Sequence, residues 1–236
     1  MKCLVIIPTL NENKNISILI NKILSLSLKL TVLIIDDNSI DGTRDKILFL
    51  NKKYKSIKYI FRPRRLGLGS AHKQGFKYAL KKKFDLCITI DADLTHDPIN
   101  IKKMLKIVST NKFSIINTSR FMENNSLKNW PLLRIVITKI RYYLVSFLLG
   151  TKMDSSGGFR CYNLKKINKN DLFLSKNNSY FFLIESLFYF EKKKYLIKEI
   201  PIILPYRLYG SSKMKITDIF FSLLDLLDLK LKKIRA

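Results

Sequence analysis

The chain has 236 residues, 47% of them hydrophobic, which supplies the core of one substantial α/β domain and excludes disorder over most of its length. Its 44 Lys and Arg against 18 Asp and Glu give a formal net charge of +26, a field that favours polyanions: nucleic acid, an anionic membrane face or phosphorylated small molecules. The three cysteines, Cys3, Cys87 and Cys161, contain no Cys-x-x-Cys pair, which argues against a disulfide framework and a zinc site and fits a reducing compartment.

The run CLVIIP (3–8) is short and β-branched, so it predicts a strand; Pro8 and the polar residues after it cut it too short for a signal peptide. An amphipathic stretch (15–28) leads to a second strand (30–36), which ends on Asp36 and Asp37, where a carboxylate commonly accepts hydrogen bonds from a ribose or base. Asp41-Gly42-Thr43 opens the next helix (41–54) with Asp41 as its cap. A third strand (56–61) runs into RPRRLGLGSA (62–71). Gly67 and Gly69 do not make a dinucleotide fingerprint, because they follow the third strand and His72 stands where a third glycine belongs. They serve a tight turn or a close backbone approach, and His72 reads as structural. A helix (69–83), a fourth strand (86–91), a helix (97–110) and a fifth strand (113–118) complete the series. Such alternation predicts a mostly parallel sheet with helices on both faces and a ligand site beyond the carboxyl ends of its strands.

The fourth strand ends in DADLTHDP (91–98). Extended backbone sends alternate side chains to one face, so Asp91 and Asp93 can reach a single cation, and oxygen ligands suit Mg²⁺ or Mn²⁺. Turn-forming aspartates are common, however, so the tripeptide alone is a weak signal. His96 reads equally as a site residue or as part of a helix-entry turn.

Beyond residue 120 the character changes. The segment 130–150 is apolar on most sides, with Arg134, Thr138 and Arg141 on one stripe. In 216–236, Ile216, Ile219, Phe220, Leu223, Leu224 and Leu227 share a face before a basic tail. Both segments suit helices lying at a membrane interface; packing on the domain's own core is the alternative, and for the final helix it fits equally well. The longest uncharged stretch, 142–151, is far short of the roughly 18 apolar residues of a spanning helix. The whole chain, 1–236, therefore reads as one domain with two membrane-facing helices.

The motifs VIIPTLNE, IIDDNSIDGT, RRLGLGSA, DADLTHDP, SRF, DSSGGFRCY and EIPIILPYRLYGSSK follow one another in the order and spacing of the family-2 glycosyltransferases, and the sequence resembles the group that transfers mannose to dolichol or polyprenol phosphate. The resemblance implies a GT-A fold, GDP-mannose as donor, a divalent cation, inversion at the sugar carbon and a β-mannosyl phosphoryl polyprenol product. It implies that Pro8, Glu12 and Asp37 line the nucleotide pocket, and that Asp91 and Asp93, with Ala92 between them, hold metal and diphosphate. Arg120, Arg134, Arg160, Arg207, Ser212 and Lys213 would face the donor diphosphate or the acceptor phosphate, with Asp93, Arg120, Arg207 and Lys213 closest to the chemistry. Three positions depart from the family pattern: Leu10 where an aromatic is frequent, His72 where Tyr is common, and an extra glycine in SSGGFR.

A lipid phosphate is already ionised near neutral pH, so no strong general base is required, in keeping with the absence of an obvious one. The surplus charge suits an anionic leaflet, and a sequence ending at Ala236 without spanning helices is expected to sit on the cytoplasmic face of a membrane through interfacial helices or a small anchoring subunit. A glucosyl- or aminoarabinosyltransferase using a UDP-sugar would share most of these motifs. A sugar-phosphate nucleotidyltransferase would carry a glycine-rich basic loop after the first strand, where PTLNEN stands. A nucleic-acid-binding module is disfavoured by acidic loops at the expected site and by the lack of a recognition motif.

Overall fold

The computed structural model describes residues 1–207, 209 and 216–235. Strands β1 (Cys3–Thr9), β2 (Leu30–Asp36), β3 (Ile57–Phe61), β4 (Leu86–Thr89) and β5 (Ile115–Ser119) stand where the β-branched runs predict them. Two strands not foreseen, β6 (Arg160–Asn163) and β7 (Ile197–Pro201), complete a single sheet of order β3-β2-β1-β4-β6-β5-β7 among the described residues. Within it β6 runs antiparallel to its neighbours, β4 and β5, and the other pairs are parallel. The strand order reverses between β1 and β4, so the loops leaving these two strands diverge and open a crevice at their carboxyl ends.

Helices α1 (Ile16–Leu24), α2 (Thr43–Lys53), α3 (Leu68–Lys81), α4 (Asn100–Val108), α5 (Leu132–Leu149), α6 (Phe182–Lys192) and α7 (Ile216–Arg235) surround the sheet. The central strands are apolar on both sides because both sides are covered. Val5 and Ile7 of β1 pack with Ile16, Leu19 and Ile20 of α1, Ile47 of α2 and Met104 of α4. Their neighbours Leu4 and Ile6 point the other way, to Ala71 and Phe76 of α3 and to Phe182 and Phe190 of α6. Each such fully buried side chain contributes about 1.5–3 kcal/mol, which holds the strand ends in register under the site. Asp41 bonds the first N–H of α2 (Oδ1 to Thr43 N, 3.1 Å), but from one residue further out than expected, since Gly42 takes the cap position.

All three cysteines are buried within the sheet, on β1, β4 and β6. Burial pushes the Cys3 thiol up to about 12 and those of Cys87 and Cys161 well above the usual range.

A third cluster joins Val145 and Leu149 of α5, Phe181, Ile184 and Phe188 around α6, and Leu226 and Leu229 of α7. On the opposite sides, α5 exposes Leu132, Leu133, Ile137, Ile140, Tyr143 and Phe147, while α7 exposes Phe221, Leu223, Leu224, Leu227 and Leu231. Thus Leu223, Leu224 and Leu227 do share an outward face, whereas the side chains of Ile216, Ile219 and Phe220 lie outside the described residues. No described helix is long and apolar enough to cross a membrane.

Candidate active site

The loops leaving β1, β2, β3 and β4 enclose a cavity of about 610 Å³. Pro8, Glu12, Asp37, Asp91, Ala92, Asp93 and Arg207 all contribute to its wall, so the motifs at separate strand ends do converge on one space. The two aspartates ending β2 divide their work. Asp36 is fully buried and saturated by Arg44 Nε (2.7 Å), Ser39 N (3.0 Å) and the Ser39 hydroxyl, which makes it part of the frame. Asp37 faces the cavity and accepts from Leu66 N (2.6 Å) and Gly67 N (2.9 Å) while pairing with Arg62 at 3.0 Å.

Arg62, which the sequence did not single out, is buried and also donates to Ser70 Oγ and Gly67 O, both at 3.1 Å. Burial pulls its pKa down, against the raising pull of Asp37 and Asp36. The pair braces the 62–70 loop around the cavity mouth. Glu12 is buried with Oε2 accepting from Asn15 Nδ2 at 2.5 Å, and its own N–H donates to Thr43 Oγ1 at 2.9 Å.

Asp93 is held by Thr95 and Arg207, and Asp91 by His96. Leu94 takes a left-handed φ of 65°, which costs on the order of 1 kcal/mol for a residue with a side chain and folds Thr95 back so that its N–H (3.1 Å) and hydroxyl (2.6 Å) both donate to Asp93 Oδ1. Arg207 Nη2 meets the other oxygen at 2.5 Å. His96 Nε2 lies 3.3 Å from Asp91 Oδ2, with its ring 5.2 Å from that of Phe159, so the histidine left open by the sequence belongs to the site. Burial alone would raise the Asp91 carboxyl; the His96 hydrogen bond and charge, with His72 and Arg207, outweigh it and keep the group below its ordinary value.

The Asp91 side chain remains 35% exposed and so presents oxygen to the cavity, and a Cβ on Gly158 would stand 2.9 Å from its Oδ1, closing the space beside it. Two hard carboxylates with open space beside them fit a Mg²⁺-like ion that draws its remaining ligands from a bound phosphate or water. Among the described residues no group of three or more His, Cys, Asp or Glu forms a complete cage.

A smaller cavity of about 130 Å³ shares Asp91, Asp93, Ser156 and Arg207 with the first, and adds Arg120 and Arg134. Arg120 donates through Nε (2.7 Å) and its backbone N–H (3.1 Å) to Asp154 Oδ2. Burial would raise the Asp154 carboxyl, but Arg120 and Arg141 bring it down. Arg134 lies over the rings of Trp130 (4.6 Å) and Tyr206 (5.3 Å), and Trp130 is fixed by Nε1 donating to Leu204 O at 2.9 Å. Arg141 donates to Ser156 Oγ at 3.1 Å; burial, then Arg120 and Arg134, push its pKa down to about 10. Arg120, Arg134 and Arg207 thus line a cavity that also holds Asp91 and Asp93, and Arg141 stands behind it at Ser156, a cationic surplus that suits an anion.

Arg160 does not join them. It is 0% exposed, lies outside the lining of both cavities, and donates to Asn117 Oδ1 (3.0 Å), Ser186 Oγ (3.3 Å), Ser155 O (2.6 Å) and Leu183 O (3.0 Å). The expectation that it faces substrate is corrected: it is a strut beneath the site. Ser212 and Lys213 lie outside the described residues. His72 is 1% exposed and stacks on Phe182 at 5.4 Å, and neither ring nitrogen has a partner among the described residues.

Gly67 and Gly69 admit the segment 177–182, and Gly67 also lines the large cavity. Gly67 has a φ of 92° and a Cβ there would overlap Asn178 O, while a Cβ on Gly69 would stand 2.5 Å from Phe182 Cβ. This packing brings Asn178, Ser179 and Tyr180 into the wall of the large cavity. They had no local signal in the sequence, unlike Arg141, which stands on the polar stripe noted above.

Residues 4–171 match the family described as Glycosyl transferase family 2. The polyprenol monophosphomannose synthase of Mycolicibacterium smegmatis is 29% identical over 217 residues, covering 90% of this chain and 81% of that protein. The undecaprenyl-phosphate mannosyltransferase of Micrococcus luteus is also 29% identical, over 215 residues, with 91% and 88% covered. Among solved structures, glucosyl-3-phosphoglycerate synthase from Mycobacterium tuberculosis, in complex with Mn²⁺, UDP and glucosyl-3-phosphoglycerate, superposes with a TM-score of 0.68 over 95% of this chain and 79% of that one, at 17% identity. Mannosyl-3-phosphoglycerate synthase from Rubrobacter xylanophilus gives 0.62 at 12% identity, covering 99% and 74%. These two likenesses bear on the fold alone, a GT-A-like sheet with flanking helices. With a converged cavity at the switch point of that sheet and a family match over more than half its length, the chain belongs to glycosyl transferase family 2 and is a glycosyltransferase.

Proposed function

We propose that the protein transfers mannose from GDP-mannose to the phosphate of a polyprenyl or dolichyl lipid, with inversion, giving a β-mannosyl phosphoryl polyprenol. The observation that carries this reading is that the large cavity and the small arginine-lined cavity meet at Asp91, Asp93 and Arg207. A nucleoside diphosphate sugar fits the first, a phosphate monoester the second, and the sugar carbon between them is open to displacement from the side opposite the departing diphosphate. A single displacement inverts that carbon. The two relatives named above, a polyprenol monophosphomannose synthase and an undecaprenyl-phosphate mannosyltransferase, support both the sugar and the lipid.

Each side chain then has a task. Glu12 and Asp37 offer carboxylate oxygens at the end of the cavity that would take the base. Asp91 and Asp93 would hold a divalent cation, Mg²⁺ or Mn²⁺, whose chemistry is to neutralise charge growing on the leaving diphosphate. Arg120 and Arg134 would grip the acceptor phosphate, since a guanidinium fork donates two parallel hydrogen bonds to such an oxyanion. Arg207, on the wall of both cavities, reaches either anion and is preorganised by Asp93. No side chain needs to remove a proton, because the attacking phosphate oxygen is already ionised. Ser212 and Lys213 would add to the phosphate contacts by the resemblance already drawn.

The acceptor's tail stays in a bilayer, so the site must work at a membrane surface. The outward apolar faces of α5 and α7, with a formal charge of +26 behind them, support peripheral binding to an anionic cytoplasmic leaflet, alone or with a small anchoring subunit. The test is to supply the purified protein with polyprenyl phosphate and a panel of sugar nucleotides and to identify the lipid product by mass spectrometry. A mannosyl phosphoryl lipid from GDP-mannose is expected; a glucosyl or aminoarabinosyl product made only from a UDP-sugar overturns the donor assignment.

A further inference from the structure

The segment 175–180 forms one side of the large cavity, and it is tied down from several directions. Gly69 N–H donates to Asn178 O at 2.9 Å, and Lys73 Nζ reaches the carbonyls of Ser175 (3.5 Å), Lys176 (3.3 Å) and Asn177 (3.1 Å). Glu185 Oε2 accepts from Ser175 Oγ (2.5 Å) and Asn177 N (3.1 Å). These ties fix the outer part of the segment to α3 and α6. The Asn177 side chain does something different. Its Oδ1 accepts from Ser179 N (2.7 Å) and Ser179 Oγ (2.6 Å), which shapes the turn that lines the cavity, while its Nδ2 donates to Asp225 Oδ2 on α7 at 2.7 Å. One amide therefore joins the cavity wall to a helix 48 residues further along the chain.

Helix α7 is itself part of the same wall, through Thr217 and Asp218 in its first turn. It is seated two turns later by Leu226 and Leu229 against Val145, Phe181 and Phe188. Asp225 stands beside those apolar anchors, so the hydrogen bond to Asn177 is made by a carboxylate whose position packing already fixes. A charged acceptor opposite an amide donor makes one of the stronger hydrogen bonds available to a neutral side chain.

We propose that Asn177 and Asp225 are a positioning pair for the donor: through their hydrogen bond α7 sets the Asn178–Tyr180 wall against which the nucleotide sugar is held. The proposal rests on reading the large cavity as the donor site. Neither residue touches the reacting atoms; both act by fixing a turn, so their loss raises KM for the donor and weakens nucleotide binding while leaving kcat nearly intact.

The experiment compares wild type, Asn177→Asp, Asp225→Leu and the double variant Asn177→Asp/Asp225→Asn. Binding of GDP and of UDP with Mn²⁺ is measured by calorimetry, with initial rates over a range of donor and with thermal unfolding as the control for folding. Asn177→Asp sets two carboxylates against each other, and Asp225→Leu removes the acceptor; each is expected to weaken nucleotide binding about tenfold, the change that loss of one such hydrogen bond gives. The double variant reverses the direction of the bond, because the amide then stands on α7 and donates to a carboxylate on the cavity wall, and it is expected to recover most of the affinity. A merely structural role would lower the unfolding temperature of all three variants without a split between KM and kcat and without rescue. Wild type that binds nucleotide, with both single variants equal to it or the double variant no better than they are, overturns this inference and leaves the donor-site reading standing. Wild type that binds neither GDP nor UDP overturns that reading and the inference with it.

Discussion

Arg207 and Asp93 meet at 2.5 Å on the wall common to both cavities, so each controls what the other can offer a ligand. Replacing Arg207 by Ala is expected to lower kcat about 100-fold, the loss typical of one preorganised donor at a developing charge, with little change in the unfolding midpoint. Asp93→Ala is expected to abolish transfer while the fold persists, and a variant lacking both Asp91 and Asp93 that keeps activity within a few-fold of wild type would refute their role as cation ligands; initial rates at several Mn²⁺ concentrations decide it. Arg160→Met should behave in the opposite way. Its four neutral partners lose a buried donor, so the fold is expected to lose about 1–3 kcal/mol for each acceptor left unsatisfied, read by chemical denaturation. His72 carries a pH signature. Burial pushes its pKa down to about 4, with Asp91 raising and Arg160 lowering it further. Above the ordinary value of about 6.5 both folded and unfolded chains hold it neutral. As pH falls from there toward 4, only the unfolded chain takes up the proton, so stability declines by about 3 kcal/mol across that window. Urea unfolding of His72→Phe should show a correspondingly shallower fall than wild type over the same range.

At the scale of elements, strands β1 to β5 were legible because each is a brief β-branched run between amphipathic stretches. The strands that escaped carry charge where a strand pattern wants an apolar residue: Arg160 in β6, and Lys198 and Glu199 in β7. Those charges are accommodated by partners distant in sequence, such as Glu199 Oε1 accepting from Asn117 Nδ2 at 2.9 Å, and no local rule anticipates that. The same reasoning separates the site residues. Asp37, Asp91, Asp93, Arg120 and Arg134 announced themselves through motifs, whereas Arg62 and the 177–182 segment acquire meaning only when α3 is laid against them. That packing is testable. Gly69→Ala puts a methyl 2.5 Å from Phe182 Cβ and 2.8 Å from Asn177 O, so it is expected to destabilise the protein by about 1–3 kcal/mol and to displace the cavity wall, visible as a lower melting temperature and weaker nucleotide binding.

At the scale of the whole molecule, large apolar side chains are exposed on both α5 and α7. Phe147 is 81% exposed and Phe221 61%, and Lys230 Nζ lies 5.5 Å from the Phe147 ring, so a basic group stands beside this apolar face. Phe147→Ser with Leu227→Ser is expected to abolish pelleting with anionic vesicles while nucleotide binding stays as in wild type; unchanged pelleting that disappears at high salt would assign attachment to charge alone. Substitution is the cleaner test than deleting α7, because Thr217 and Asp218 also wall the large cavity.

The cysteines have a practical corollary. With every native thiol sealed inside the sheet and its proton held tightly, the folded chain offers a maleimide reagent nothing to attack. A lone cysteine introduced at Leu227 or Ile137 would therefore take an environment-sensitive fluorophore at one known place, without first stripping the wild-type sulfurs, and its emission colour on liposomes would report how deeply each helix immerses.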